Sequence, residues 1–162
     1  MNKKLFTFGA LTLAAVAAFA LTVDGAVGRG VATNADGVNG SFDFHVRKIT
    51  HEGQTRVLGG GKFGISNRDE HRRLAIVFHA ARFASTEHTA EFGGPGIRIV
   101  WANGVRREVR GLVVVRVADN HREGSGDPDG YAISFNAEGT AHDFGFRGNV
   151  TRGALSVFHR SE

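Results

Sequence analysis

Apolar and polar side chains alternate along this sequence, and that spacing limits the fold more than any other feature. Between Val105 and Val117 one set of alternate positions holds five valines with Arg107 and Gly111, while Arg106, Glu108 and Arg110 lie between them. A period of two residues is typical of a half-buried β-strand, whose successive side chains point to opposite faces. A second alternating segment follows at 131–135, beyond an acidic glycine-rich loop. We therefore predict strand, loop and strand over 105–135.

Shorter alternating segments recur along the chain, at 41–47, 55–66, 74–79, 97–101, 144–146 and 155–158. The 23 glycines and 2 prolines of the sequence favour tight turns between strands over helices. We expect an all-β fold, an antiparallel β-sandwich or flattened β-barrel of about eight to nine short strands, forming a single domain over 41–162. Residues 21–40 are small and polar and show neither helical nor strand periodicity, which predicts a flexible leader.

The first 20 residues have the three parts of a secretory signal peptide. Lys3 and Lys4 precede an apolar run, which ends in the small-residue pattern Ala18-Phe19-Ala20. Cleavage after Ala20 predicts a secreted or periplasmic protein with no stable membrane span, because the apolar run is short for one. The processed chain would have about 142 residues, enough for one domain with its own core.

Composition removes several classes of function. The sequence has no cysteine, which excludes disulfides, thiol catalysis and thiolate metal sites. Without Lys3 and Lys4 the formal net charge falls from +4 to +2, and the arginines are scattered along strands. Nucleic acid is therefore not an expected partner.

Asn103-Gly104 is the strongest hairpin signal in the chain. A two-residue turn would place the apolar residues of the preceding strand on the same face as charged residues of the next strand. A three-residue loop from Ala102 to Gly104 would instead pair Trp101 with Val105. We predict the three-residue loop, since a slip of one residue moves a whole apolar set to the opposite face. The expected inward residues are Ile97, Ile99 and Trp101.

The loop 119–130 is the best candidate for an ion site. Its oxygen-bearing side chains are the hard ligands that calcium prefers. They are Asp119, Asn120, Glu123, Asp127 and Asp129. The spacing is not that of an EF-hand, and the alternative is a solvated turn in which Asp and Asn bind their own backbone. The expected cofactor is therefore calcium or none.

Other chemical signals have structural alternatives. Gly59-Gly60-Gly61-Lys62-Phe63-Gly64 matches a dinucleotide fingerprint, but lies in a strand pattern with no helix to bind a pyrophosphate. The eight histidines lack the close spacing of a metal site, although they could still converge in space. No serine has a nucleophile-elbow context. Trp101 and Tyr131 are a candidate sugar-stacking pair, but the predicted hairpin places Trp101 in the core.

The second half of the chain resembles a bacterial secreted domain, post-COAP-1. The likeness is carried by 113–120, a strand ending in Asp119-Asn120, by the acidic loop and aromatic strand at 124–135, and by Gly148-Asn149-Val150. The resemblance implies a non-catalytic exterior module and assigns no catalytic residue.

We therefore expect an exported, non-catalytic β-domain that binds a protein or a glycan, or has an adhesive or structural role at the bacterial envelope. Two alternatives stay open. One is a small secreted hydrolase or lyase using converging His and Asp residues. The other is a lipocalin-like carrier, for which the phenylalanines would line a cavity.

Overall fold

The computed structural model describes residues 21–67, 72–121, 126–139 and 143–161. Within these residues the chain forms nine β-strands and no α-helix. The strands are β1 (Thr22–Thr33), β2 (Asn39–His51), β3 (Gln54–Asn67), β4 (Arg72–His79), β5 (Arg82–Ser85), β6 (Thr89–Ala102), β7 (Val105–Ala118), β8 (Gly130–Ala137) and β9 (Phe144–Ser161). All of the pairings between them are antiparallel, so the predicted all-β antiparallel fold is confirmed. The predicted signal peptide lies outside the described residues.

The nine strands form one sheet that closes into a ring. Their order is β4-β3-β2-β1-β9-β8-β7-β6-β5, and an additional pairing joins β4 to β6. The long strand β6 makes this closure possible, because it pairs with β5 through residues 90–93 and with β4 through residues 96–102. Each strand therefore has one face toward the interior of the ring and one face toward solvent.

Aromatic side chains fill the interior of the ring. Phe63 and Phe135 are 1% and 0% exposed, and Tyr131 is 2% exposed. The ring centroids of Phe42 and Tyr131 are 4.6 Å apart, and those of Phe63 and Phe146 are 4.9 Å apart. Burial of each such side chain stabilises the fold by about 1.5 to 3 kcal/mol. The rings stack on each other across the interior, which is how a chain without disulfides obtains its stability.

The alternation in β7 is confirmed, because Val113, Val115 and Val117 are all buried. The flexible leader is not: Thr22–Thr33 is a strand that pairs with β2 on one side and β9 on the other. Its inward positions are mostly small because large neighbours fill the space, and the Phe44 ring and Leu155 lie against Gly28. The single domain therefore begins at β1 and not at residue 41.

The predicted three-residue hairpin loop is wrong. Ala102 pairs with Val105 and Trp101 with Arg106, which leaves a two-residue turn at Asn103-Gly104. Both turn residues have positive φ, 50° for Asn103 and 77° for Gly104. Such a turn matches the right-handed twist of the strands that it joins, and asparagine and glycine are the residues that tolerate it. The turn geometry therefore determines the register, against the segregation of apolar from charged side chains.

This register moves an apolar set to the outside of the ring. Ile97, Ile99 and Trp101 face outward, whereas we predicted them in the core. The opposite face of β6 supplies the core, where Ala90 and Phe92 are 3% and 0% exposed. The fold is preserved because only the identity of the inward face of β6 changes.

Candidate ligand-binding face

The outward residues of β4, β6 and β7 form a continuous patch with Trp101 in it. Three cross-strand rows make up this patch, since Ile97, Ile99 and Trp101 each have a partner on both β4 and β7. The rows are Arg73-Trp101-Arg106, Ala75-Ile99-Glu108 and Val77-Ile97-Arg110. We call these nine residues the tryptophan face.

Two arginines lie against the indole of Trp101. The guanidinium carbon of Arg73 is 5.4 Å from the ring centroid, and that of Arg106 is 6.0 Å from it. Each cation–π contact stabilises by about 0.5 to 1 kcal/mol at an exposed site. A guanidinium that stacks on an aromatic ring keeps its N–H edge available, and that edge matches the geometry of a carboxylate or sulfate. Trp101 therefore orients Arg73 toward an outside anion, while Arg106 is already bound to Glu108.

The apolar part of the tryptophan face is accessible to solvent. Val77 is 46% exposed, while Ile97, Ile99 and Trp101 are half-buried between their neighbours. The nearby outward Leu112 on β7 is 55% exposed. Contiguous apolar side chains on a surface, with polar residues around them, commonly mark an interaction site.

A groove of about 880 Å³ continues from the tryptophan face across β4, β3, β2 and β1. We call it the outer groove. Small residues form its floor, namely Ser41, Gly64 and Ala75. Cationic and polar residues form its sides, namely Arg29, Asp43, Lys62, Ser66 and Arg73. Arg73 belongs to both regions and connects them.

Asp43 is the acid in the outer groove, and two cations bind it. The Arg29 guanidinium donates to its carboxylate at 2.8 and 3.1 Å, and the Lys62 ammonium lies 3.6 Å away. The hydrogen bond from Arg29, with the charges of Arg29 and Lys62, holds the pKa of Asp43 below its ordinary value of 3.8, against the opposing effect of burial. Arg29 and Lys62 therefore balance the charge of the Asp43 carboxylate, and the outer groove keeps a net positive charge.

Two of the predicted calcium ligands have structural roles, because Asp129 holds the backbone of the acidic loop and Asp119 joins the start of that loop to β9. Asp129 is buried, and its Oδ1 accepts hydrogen bonds from the backbone N–H groups of Asn120 and His121, at 2.9 and 3.3 Å. Asp119 is also buried and accepts from the Val157 N–H at 3.1 Å. Asp127 is exposed, and Glu123 lies outside the described residues. In the described part of the chain no group of three or more His, Asp or Glu residues is arranged to hold a metal.

Calcium binding to this loop stays a prediction that a thermal melt can test. Asp129 accepts from the loop's own backbone and Asp119 accepts from β9, so both carboxylates already have hydrogen-bond partners in the protein. We therefore expect the same melting temperature in millimolar calcium and in excess chelator. A ligand at 100 times its Kd stabilises the folded state by about 2.7 kcal/mol, a shift of several degrees. Such a rise, lost in Asp119→Asn, would establish the calcium site.

A second polar cluster lies inside one end of the ring. Lys48, Asp24 and His159 are directly opposite each other on β2, β1 and β9. The Lys48 ammonium is 2.7 Å from the Asp24 carboxylate, and the His159 Nδ1 hydrogen-bonds its other oxygen. Burial alone would raise the pKa of Asp24, but the hydrogen bonds and charges of Lys48 and His159 hold that pKa below 3.8. We call these three residues the Asp24 cluster.

The Asp24 cluster has part of what a hydrolase needs. Asp24 and His159 line an open cleft of about 680 Å³ with Ser85, Thr86, Glu87 and His88. A histidine held by a carboxylate can activate a serine or threonine as nucleophile only when that hydroxyl lies within reach of its other nitrogen. In the described ranges no serine or threonine hydroxyl hydrogen-bonds the His159 ring, and Thr86 bonds to Thr89 at 2.7 Å.

The histidines are distributed over the molecule. His159 contacts Asp24, His121 contacts Asp129 and His45 accepts from Arg47 at 2.8 Å. His51 and His79 are exposed, His88 is half-buried, and His71 and His142 lie outside the described residues. The predicted aromatic pair is also divided. Tyr131 is in the core, where burial raises its pKa, while Trp101 is on the surface.

Comparisons with known proteins identify no relative. No family model, no curated protein and no solved structure matches this chain. The described residues contain no helix with the length and hydropathy needed to cross a bilayer. The similarity to the post-COAP-1 domain therefore stays an expectation from the sequence.

Proposed function

We propose that this chain is an exported, non-catalytic β-domain that binds a partner at the bacterial exterior through the tryptophan face. The observation that carries the proposal is the outward position of Trp101 between Arg73 and Arg106. Tryptophan and arginine are the residues most enriched among those that dominate binding energies. The expected resemblance to a non-catalytic exterior domain agrees with this role.

The interior of the ring favours binding on the outside over the two alternatives. A carrier of an apolar ligand needs phenylalanines that line a space, whereas Phe42, Phe63 and Phe92 stack on other aromatic rings. A hydrolase of the serine type needs a hydroxyl beside its base, and no described serine or threonine hydroxyl hydrogen-bonds His159. The tryptophan face, by contrast, combines exposure, aromatic area and oriented charge.

The test is binding of the exported protein to a glycan and protein array. The full chain is expressed in a bacterial host and recovered from its periplasm or medium. N-terminal sequencing then shows whether the signal peptide has been removed near Leu21. We expect Trp101→Ala to weaken the best array ligand at least tenfold, since truncation of a central aromatic residue costs about 2 kcal/mol or more.

The matched control is Leu58→Ala. It removes an apolar side chain of β3 that is 53% exposed and lies outside both the tryptophan face and the outer groove. It should bind like the unmodified chain. Melting curves confirm that both variants are folded. Equal binding by Trp101→Ala and the unmodified chain would show that the tryptophan face is not the site.

A further inference from the structure

We infer that the ligand of the tryptophan face and outer groove is an acidic polysaccharide, a chain of sugars bearing carboxylate or sulfate groups. This inference rests on the proposed function, because it names the partner of the same surface. It is drawn from the cross-strand register, the charges and the shape of the outer groove.

The surface is organised as parallel rows that cross six neighbouring strands, from β1 through β2, β3, β4 and β6 to β7. One flanking row is Arg29-Asp43-Lys62-Val77-Ile97-Arg110. The middle row is Val31-Ser41-Gly64-Ala75-Ile99-Glu108. The other flanking row contains Ser66-Arg73-Trp101-Arg106. Small side chains occupy the middle row on β2, β3 and β4, where longer ones on each side produce a channel perpendicular to the strands. On β6 and β7 the row continues over the tryptophan face with Ile99 and Glu108.

The dimensions of this channel suit an extended chain molecule. The two flanking rows are four residues apart along each strand, or about 13 Å at 3.3 Å per residue. Five strand spacings of about 4.8 Å give the rows a length of about 24 Å around the curved sheet, and the outer groove covers three of those spacings, about 14 Å. A single sugar chain fits this width, and several successive sugar units fit the length.

The charges of the channel favour an anion. Five cations border it, namely Arg29, Lys62, Arg73, Arg106 and Arg110. The two acids are already engaged, because Asp43 binds Arg29 and Lys62, and Glu108 binds Arg106. Among the described residues no carboxylate pairs with the exposed side chains of Arg73 or Arg110. The positive charge that remains is directed at the middle and one end of the channel.

The same features disfavour two other anionic or extended partners. An extended peptide adds to a sheet through main-chain hydrogen bonds at an edge. Here the channel crosses strands that are already paired on both sides, so their backbone groups are occupied. A bilayer surface requires a convex or flat apolar face, whereas the outer groove is concave with Ser41, Ser66 and Lys62 among its lining residues.

Binding is measured by calorimetry with four probes: polygalacturonate, dextran sulfate, neutral dextran, and vesicles of anionic phospholipid. We expect the chain to bind polygalacturonate or dextran sulfate and not to bind neutral dextran. Comparing the two anionic probes shows whether carboxylate or sulfate groups are recognised. Raising the salt from about 50 to about 500 mM should weaken binding at least tenfold, because exposed charges are screened at that ionic strength.

Variants then distinguish this channel from diffuse positive charge. Arg73→Ala should lose at least tenfold in affinity, and Arg73→Lys should recover only part of it, because lysine cannot bind an anion bidentately. The matched control Arg147→Ala removes the same charge from an exposed position on β9. An equal loss in Arg147→Ala would overturn the inference, as would binding to vesicles alone or to none of the probes.

The outcomes also separate the inference from the proposed function. If a neutral glycan or a protein binds and that binding requires Trp101, the domain is a binding module and the acidic polysaccharide is wrong. If no ligand requires Trp101, both are wrong.

Discussion

Asp24→Asn should lower the free energy of unfolding at pH 7 by about 2 to 4 kcal/mol. The substitution keeps the size of the side chain but removes the charge that faces Lys48 and His159. The side chain of Asp24 is 9% exposed and that of Lys48 is 29% exposed, so the ammonium would lose its partner at a site that water reaches only in part. Because water still reaches Lys48, we place the cost below that of a fully buried pair. Urea denaturation measures the difference.

The effect should depend on pH in a defined direction. The pKa of Asp24 is lower in the folded chain than its ordinary value, so its ionised form stabilises the fold. That stabilisation is complete above an unfolded pKa of about 4 and is lost as the pH falls through the folded pKa. The difference between the unmodified chain and Asp24→Asn should therefore shrink progressively below about pH 4.

The control for this prediction is Asp36→Asn, an exposed carboxylate in the turn between β1 and β2. Surface changes of this kind alter stability by about 0.5 kcal/mol or less. A double substitution with Lys48→Met should recover part of the loss, since it removes the ammonium that Asp24→Asn leaves behind. Similar losses for Asp24→Asn and Asp36→Asn would contradict the role of the Asp24 cluster.

Gly59→Ala should destabilise the fold by about 3 kcal/mol or more. Gly59 has a φ of 107°, which residues other than glycine rarely adopt. A Cβ at this position would also overlap the backbone carbonyl oxygen of His45. Neither the strand pair nor the carbonyl can move without disturbing the register of β2 and β3. Chemical denaturation with a constant m-value would show that only stability has changed.

Gly145→Ala is the matched control, because Gly145 also lies in a strand but has no neighbouring atom within 4 Å of the point that a Cβ would occupy. An alanine there should be neutral or stabilise by up to about 1 kcal/mol, since it restricts the unfolded chain. The two substitutions are chemically identical, so equal effects would mean that close backbone approach at Gly59 does not matter.

Local patterns predicted the fold class well because a period of two residues is a property of each strand alone. The alternation alone places Val113, Val115 and Val117 on one face of β7, and that face is buried. The strand β1 was missed for the opposite reason. Its inward Ala26, Gly28 and Ala32 have little apolar surface of their own, and they are covered by large side chains from distant parts of the chain.

The candidate site was missed through the choice of hairpin. The apolar pattern of Ile97, Ile99 and Trp101 favours an inward face, whereas Asn103-Gly104 in a two-residue turn places them outside. The inner face of β6 instead includes Arg98, whose guanidinium lies 5.6 Å from the ring centroid of Phe135. Giving the turn residues priority over the apolar pattern would have found the tryptophan face from the sequence.

The Asp24 cluster lay beyond any local signal. Asp24 and His159 are 135 residues apart, and only the pairing of β1 with β9 brings them together. No rule of sequence spacing relates Asp24 and His159, because their strands are neighbours in space but far apart along the chain.

That pairing also orders the assembly of the molecule in time. Since β1 is bordered by β9, the ring cannot close while β9 is still on the ribosome. Until then β1 and β8 each present an uncovered edge, which is a template for association with other chains. A chain built in this way completes its sheet only once β9 is synthesised and free to pair.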